Sequence, residues 1–157
     1  MRKTIIRPES VNPHPNAQEE WLDLEKSAAV EVTSEDPKFP IESALAGRKG
    51  SGWRAAEKGK QVIRLVLDKP RALRRIRLEF SETENSRTQE FTLRWSHADG
   101  PMTEIVRQQW TFSPQGSTSE VEDYQVNLDN VSILELALKP DMKPETAFAT
   151  LAAWRLS

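Results

Sequence analysis

Residues 61–96 read QVIRLVLDKPRALRRIRLEFSETENSRTQEFTLRWS, and their spacing of apolar side chains decides the fold. In Gln61–Leu67 the side chains of Ile63, Leu65 and Leu67 fall on one face of an extended chain. In Leu73–Ser81, Ile76, Leu78 and Phe80 share a face, with Arg75, Arg77 and Glu79 opposite. Gln89–Ser96 repeats the pattern, with Phe91, Leu93 and Trp95 against Thr92 and Arg94. A period of two residues is the signature of a half-buried β-strand. Asp68-Lys69-Pro70-Arg71 and His97-Ala98-Asp99-Gly100-Pro101 have turn chemistry, with Pro and Gly where reversals favour them.

Working outward, Ala28–Ser34 is a first strand, and Thr103–Phe112, Glu120–Leu128, Ser132–Lys139 and Phe148–Leu156 complete the set, with a turn at 129–130. A helical stripe persists nowhere beyond two turns, so the crossover helices of a parallel sheet have no place. The expectation is an all-β fold, an antiparallel two-sheet sandwich of about eight strands. Its core would comprise Ile63, Leu65, Leu67, Ile76, Leu78, Phe80, Phe91, Leu93, Trp95, Val126, Leu128, Leu134, Leu136, Leu138 and Leu156, with Trp110 and Trp154 in the core or at its edge. Residues 1–20 are polar, carry Pro8, Pro13 and Pro15, and read as a tail or strap. Residues 21–157 read as one domain, anchored first by Trp21, Leu22 and Leu24. Residues 35–60 form a long connection rich in Gly and Pro, with one helical turn at Ile41–Ala46.

The chain has 157 residues, 37% hydrophobic and 29% charged, with net charge −2 from 22 basic and 24 acidic side chains. That balance suits a globular domain and gives no global field toward nucleic acid or an anionic membrane. Cysteine is absent, which excludes disulfides, zinc–thiolate sites and thiol nucleophiles. No apolar run approaches the ~20 residues of a membrane helix, and no apolar stretch follows the basic Met1–Arg7. A cytoplasmic protein that makes no membrane contact is the expectation.

The order of segments resembles the discoidin, or coagulation factor 5/8 C-type, family. A small loop ending in Trp (Ala44-Leu45-Ala46-Gly47 to Gly52-Trp53) precedes VIRLVLDKP (62–70), LRRIRLE (73–79) and FTLRWS (91–96). An Asp99-Gly100 turn, Leu134-Glu135-Leu136 and a closing strand at Leu151–Leu156 follow. The resemblance spans residues 28–157 and implies a galactose-binding-domain-like jelly roll that binds ligands with loops at one end. In that family a structural calcium is held by an Asp in the small loop and a Glu near the closing strand. The matching positions here are Ala46 and Ala153, and calcium wants oxygen ligands, so neither metal nor cofactor is expected.

Catalytic constellations are sparse. His97 beside Asp99 could be a base with its orienting carboxylate, but a solvated turn histidine is the simpler reading. Gly47–Gly52 (GRKGSG) could cradle an anion yet lacks phosphate-loop spacing. Glu82, Glu84 and Glu90 fit a charged hairpin better than a glycosidase pair. If their strands pair directly, Arg75, Arg77 and Arg94 would share an outer face, interleaved with Glu79 and Glu104 in cross-strand ion pairs rather than forming a phosphate-binding stripe. The chain is therefore read as a binding module and not an enzyme.

Strand parity gathers loops 35–60, 81–88, 113–117 and 140–146 at one end and turns 68–71, 97–102 and 129–130 at the other. Rigid sandwiches present function on long loops. The candidate ligand-binding residues are Trp53, Arg54, Asn85, Arg87 and Gln115. Trp53 beside Arg54 could stack a planar group, although in the resembled family this Trp packs beneath its loop. A protein partner is the first expectation, a glycan the second, and a DNA-associated scaffold the third, with nucleic acid not favoured by the charge balance.

Overall fold

Two strands twice as long as the sequence pattern suggests hold the domain together. A computed structural model describes residues 21–46 and 52–157. In chain order the elements are α1 (Leu24–Ser27), β1 (Ala28–Val32), α2 (Glu42–Leu45), β2 (Trp53–Lys58), β3 (Gln61–Ser81), β4 (Arg87–Ser96), β5 (Thr103–Phe112), β6 (Ser119–Lys139), β7 (Phe148–Leu151) and β8 (Ala153–Leu156). All pairings are antiparallel.

The turn expected at 68–71 is not a reversal. β3 runs through it, and β6 runs through the turn expected at 129–130. The two strands pair along both halves, from Gln61↔Leu138 to Ser81↔Ser119. Between Val66↔Ile133 and Arg75↔Gln125 the register shifts three times. Asn130 takes φ +55 within this stretch, the left-handed region that Asn tolerates better than most residues. Such bulges bend strands sharply and let one ribbon turn from one layer of a sandwich into the other. Pro70, which has no N–H to donate, sits where the ladder is already broken.

The crease gives two facing layers. The first halves of β3 and the second half of β6 lie between β1 and the β4–β5 hairpin, in the order β1-β3-β6-β4-β5. The second half of β3 pairs with the first half of β6 on one side and β8 on the other. Phe80 of one layer meets Phe91 of the other with ring centroids 5.4 Å apart. A separate ladder joins β2 to β7. The single closing strand expected at 148–156 is thus two: β7 pairs with β2, β8 pairs with β3, and between them the Ala152 N–H donates to the Glu79 carbonyl.

The expected core is buried with three exceptions at its edge: Trp95, Val126 and Leu128 are half-buried. Leu24, Ile41, Leu73, Phe112, Val131 and Leu151 join it. Each such side chain contributes about 1.5–3 kcal/mol by leaving water. Gly52, at φ +74, enters β2 where an added Cβ would lie 2.4 Å from the Leu151 carbonyl oxygen. Backbone of β7 leaves room there only for glycine.

Arg75, Arg77 and Arg94 do not share a face. Arg75 and Arg77 straddle Asp123 on one layer, at 2.7 and 3.1 Å, while Arg94 meets Glu135 on the other. The crease separates them. The cross-strand pairs expected of Glu79 and Glu104 are corrected to pairs within a strand: Glu79 binds Arg77 at 3.3 Å in β3, and Glu104 binds Arg107 at 3.1 Å in β5. Glu135 is buried under Arg64 and Arg94; burial opposes its charge, and the two guanidinium groups outweigh it, holding the carboxyl below the usual carboxylate range.

Candidate functional site

Three of the loops that strand parity places together, 81–88, 113–117 and 140–146, do gather at one end, although the reversals it counts at 68–71 and 129–130 are absent. The Glu82 N–H donates to the Thr118 carbonyl, the Met142 N–H to Thr88 and the Gly59 N–H to Ala147, which ties the 82–86, 113–118, 140–147 and β2–β3 connections together at one end. At the other end the His97 ring Nδ1 lies 2.7 Å from the Asn130 carbonyl. His97 is therefore a turn residue bonded to backbone rather than to Asp99.

A cleft of about 510 Å³ opens at the loop end. One wall is the β2–β7 ladder, with Arg54, Lys58, Phe148 and Thr150; the other is loop, with Glu82, Glu84, Asn85, Asp141, Lys143 and Thr146. The register Arg54↔Thr150 and Lys58↔Phe148 brings these side chains together from distant parts of the chain. The Arg54 guanidinium carbon lies 4.7 Å from the Phe148 ring centroid and Lys58 Nζ lies 5.8 Å from it, so both cations rest on the ring.

Arg87 forms the floor. Its side chain is 1% exposed. Its Nε donates to Glu82 at 2.7 Å, Nη1 to the Pro140 carbonyl at 2.7 Å and to Gln89 at 3.3 Å, and Nη2 to Thr150 at 3.3 Å. The guanidinium also lies over Phe112, 4.8 Å from the centroid. Four of its five N–H donors are spent on two loops and two strands, so Arg87 positions the cleft instead of reaching into it. Burial works against ionisation of Glu82, but Arg87 and the backbone N–H groups of Glu84 and Asn85 prevail and keep its carboxyl below the usual range. The 140–147 wall is held by Asp141, which accepts from the Lys143 N–H at 3.3 Å and the Thr146 hydroxyl at 3.2 Å.

Of the residues expected to bind ligand, the cleft brings together Arg54, Asn85 and Arg87. Trp53 is corrected: it is 1% exposed, and its indole N–H donates to the Ser34 carbonyl at 3.1 Å. The inward parity of β2 turns its ring into the core, so it offers no face to a ligand. Gln115 is exposed in the 113–118 turn and does not line the cleft. Lys58, Phe148, Thr150 and Asp141 were not anticipated, because their proximity depends on the β2–β7 pairing. The GRKGS stretch at 47–51 lies outside the described residues, as does the tail at 1–20. Glu84 is exposed, Glu82 is bound to Arg87, and Glu90 is bound by Gln109 and Arg107.

A second hollow of about 380 Å³ lies on the outer face of β4–β6, lined by Lys60, Glu90, Arg94, Met102, Glu104 and Arg107 among others. Most of its charges are engaged with one another, Arg107 with Glu90 and Glu104 at 3.1 Å each, and Lys139 with Glu90 at 3.8 Å. Ala46 ends α2, which lies against β8, where Ala153 sits. Among the described residues, no three His, Cys, Asp or Glu side chains are grouped to hold a metal ion. No helix among them is long and apolar enough to cross a membrane.

No protein-family model matches the sequence, and no curated protein does. Solved structures do match. A family 32 carbohydrate-binding module of NanJ from C. perfringens, solved with galactose, is 15% identical with a TM-score of 0.60, over 87% of this chain and 96% of that one. A further family 32 module, from a family 31 glycoside hydrolase of Clostridium perfringens, is 20% identical with a TM-score of 0.63, over 88% and 94%. A pectin-binding module is 16% identical with a TM-score of 0.62, over 84% and 91%. Creased β3 and β6 and the facing layers thus make a discoidin-type, galactose-binding-domain-like sandwich, the fold of these carbohydrate-binding modules.

Proposed function

We propose that the chain is a non-catalytic carbohydrate-binding module whose ligand occupies the loop-end cleft. The observation that carries this is the cleft's construction. A buried Arg87 fixes two loops, and around it Arg54, Lys58, Asn85, Asp141 and Thr150 line an opening of about 510 Å³, room for one or two sugar rings. Fixed donors and acceptors around a shallow opening suit a polyhydroxylated ligand. The similar solved modules, with galactose and pectin named as ligands of two of them, support the same reading.

The protein partner and the DNA-associated scaffold have less support. Among the described residues the large apolar side chains left exposed are Val121 and Met142, on separate elements. Most outward arginines are committed to carboxylates. A glycan array with the purified chain tests the proposal. Binding to a defined saccharide, weakened by Asn85→Ala without a change in melting temperature, is the expected result. An array without any bound saccharide would overturn it.

A further inference from the structure

We propose that the cleft selects an acidic saccharide, one carrying a carboxylate or sulfate, over a neutral one; this rests on the reading of the cleft as a saccharide site. Neutral sugars are commonly held by laying their C–H face on an open aromatic ring. This cleft has no such ring free. Trp53 is turned into the core, and Phe148, the aromatic residue in the lining, is covered by Arg54 and Lys58 at 4.7 and 5.8 Å.

What the ligand meets on that wall is a guanidinium with an ammonium beside it. A guanidinium resting on a ring keeps its N–H groups available for a two-pronged bond to a planar anion. Among the described residues, neither the Arg54 guanidinium nor the Lys58 ammonium forms an ion pair or donates a hydrogen bond, in contrast with Arg64, Arg75, Arg77, Arg87, Arg94 and Arg107. Most arginines elsewhere on the sandwich have a carboxylate partner; among the described residues this pair lines the cleft without one.

The opposite wall carries Glu84, Asn85 and Asp141, with Lys143 beside them. The carboxylates there accept hydrogen bonds from hydroxyls and repel an anion. The two walls therefore orient the ligand, with the acidic group toward β2 and the ring hydroxyls toward the loops. A neutral sugar would leave the cationic wall unanswered.

The test is titration calorimetry with an oligogalacturonate, a sulfated galactan oligosaccharide and a neutral galacto-oligosaccharide, at low and high salt. The wild-type chain, Arg54→Gln and Lys58→Gln are compared, with circular dichroism confirming the fold. At least one acidic ligand should bind roughly tenfold or more tightly than the neutral one, as hydrogen bonds to charged groups imply. Its binding should weaken with salt, and Arg54→Gln should lower the affinity for that acidic ligand by a larger factor than the affinity for the neutral one, which removes most of the preference. Preference for the uronate or for the sulfate names the anion; either upholds the inference. Equal or tighter binding of the neutral sugar overturns it and leaves the cleft as a saccharide site. Binding of none of the three, nor of any saccharide on the array, overturns both.

Discussion

Replacing Arg87 with alanine should cost far more stability than an ordinary surface arginine. The side chain is 1% exposed and Glu82 is 15% exposed, so the pair is largely out of water. Removing one member of a buried ion pair costs about 3–5 kcal/mol. Glu82 keeps the N–H groups of Glu84 and Asn85, which places its share at the lower end. The Pro140 carbonyl loses its 2.7 Å donor, and a buried acceptor left unpaired adds about 1 kcal/mol or more. The sum is about 4 kcal/mol, which for a chain of this size lowers the melting temperature by roughly 8–16 °C. Differential scanning calorimetry with a urea melt reads both quantities. The gap should depend on acidity. Glu82 has a folded pKa below its ordinary 4.5, so the pair's contribution is present above that value and is lost as pH falls through the lower folded pKa. The difference between wild type and variant should therefore narrow on acidification below about pH 4.5. A loss under about 1 kcal/mol near neutral pH would refute the account of Arg87 as the cleft's floor, since that is what an exposed pair contributes.

Burial, with Glu122 alongside, pushes the Glu120 carboxyl up to about 8. A raised carboxyl destabilises as pH rises from its unfolded value toward its folded one, so Glu120→Gln should match wild type near pH 5 and gain in melting temperature near pH 8. Gly52→Ala should lose about 2 kcal/mol or more in denaturant melts, because its φ of +74 and the 2.4 Å approach to Leu151 must both be relieved. Glu135→Gln should lose about 1–2 kcal/mol by the same measurement. That figure is discounted because Arg64 and Arg94, each 42% exposed, can turn to water once the charge is gone.

The strands were legible wherever one face is apolar. The corner was not, though it left a trace. Buried positions are odd-numbered through Ile63, Leu65, Leu67 and Leu73, then even-numbered from Ile76 through Phe80. Such a change of phase is written equally by a reversal and by a bulge, and Pro70 favoured the reversal. Only the partner strand, drawn in register along both halves, decides between them. Arg87 and Glu120 carried a similar trace. Arg87 shares parity with Phe91 and Leu93, and Glu120 with Val126 and Leu128, so the alternation pointed both inward against their polarity. The cationic wall had no local signature, because it exists only where Phe148 is laid beside Lys58 by a pairing across most of the chain.

The crease in β3 and β6 also bears on how the molecule comes apart. A sandwich whose leaves are separate sheets can be pried open along its greasy seam. Here both leaves are cut from the same pair of ribbons, so separating them would have to strain the chain through the bend in both strands at once. Amide exchange in the two leaves should accordingly rise and fall as one.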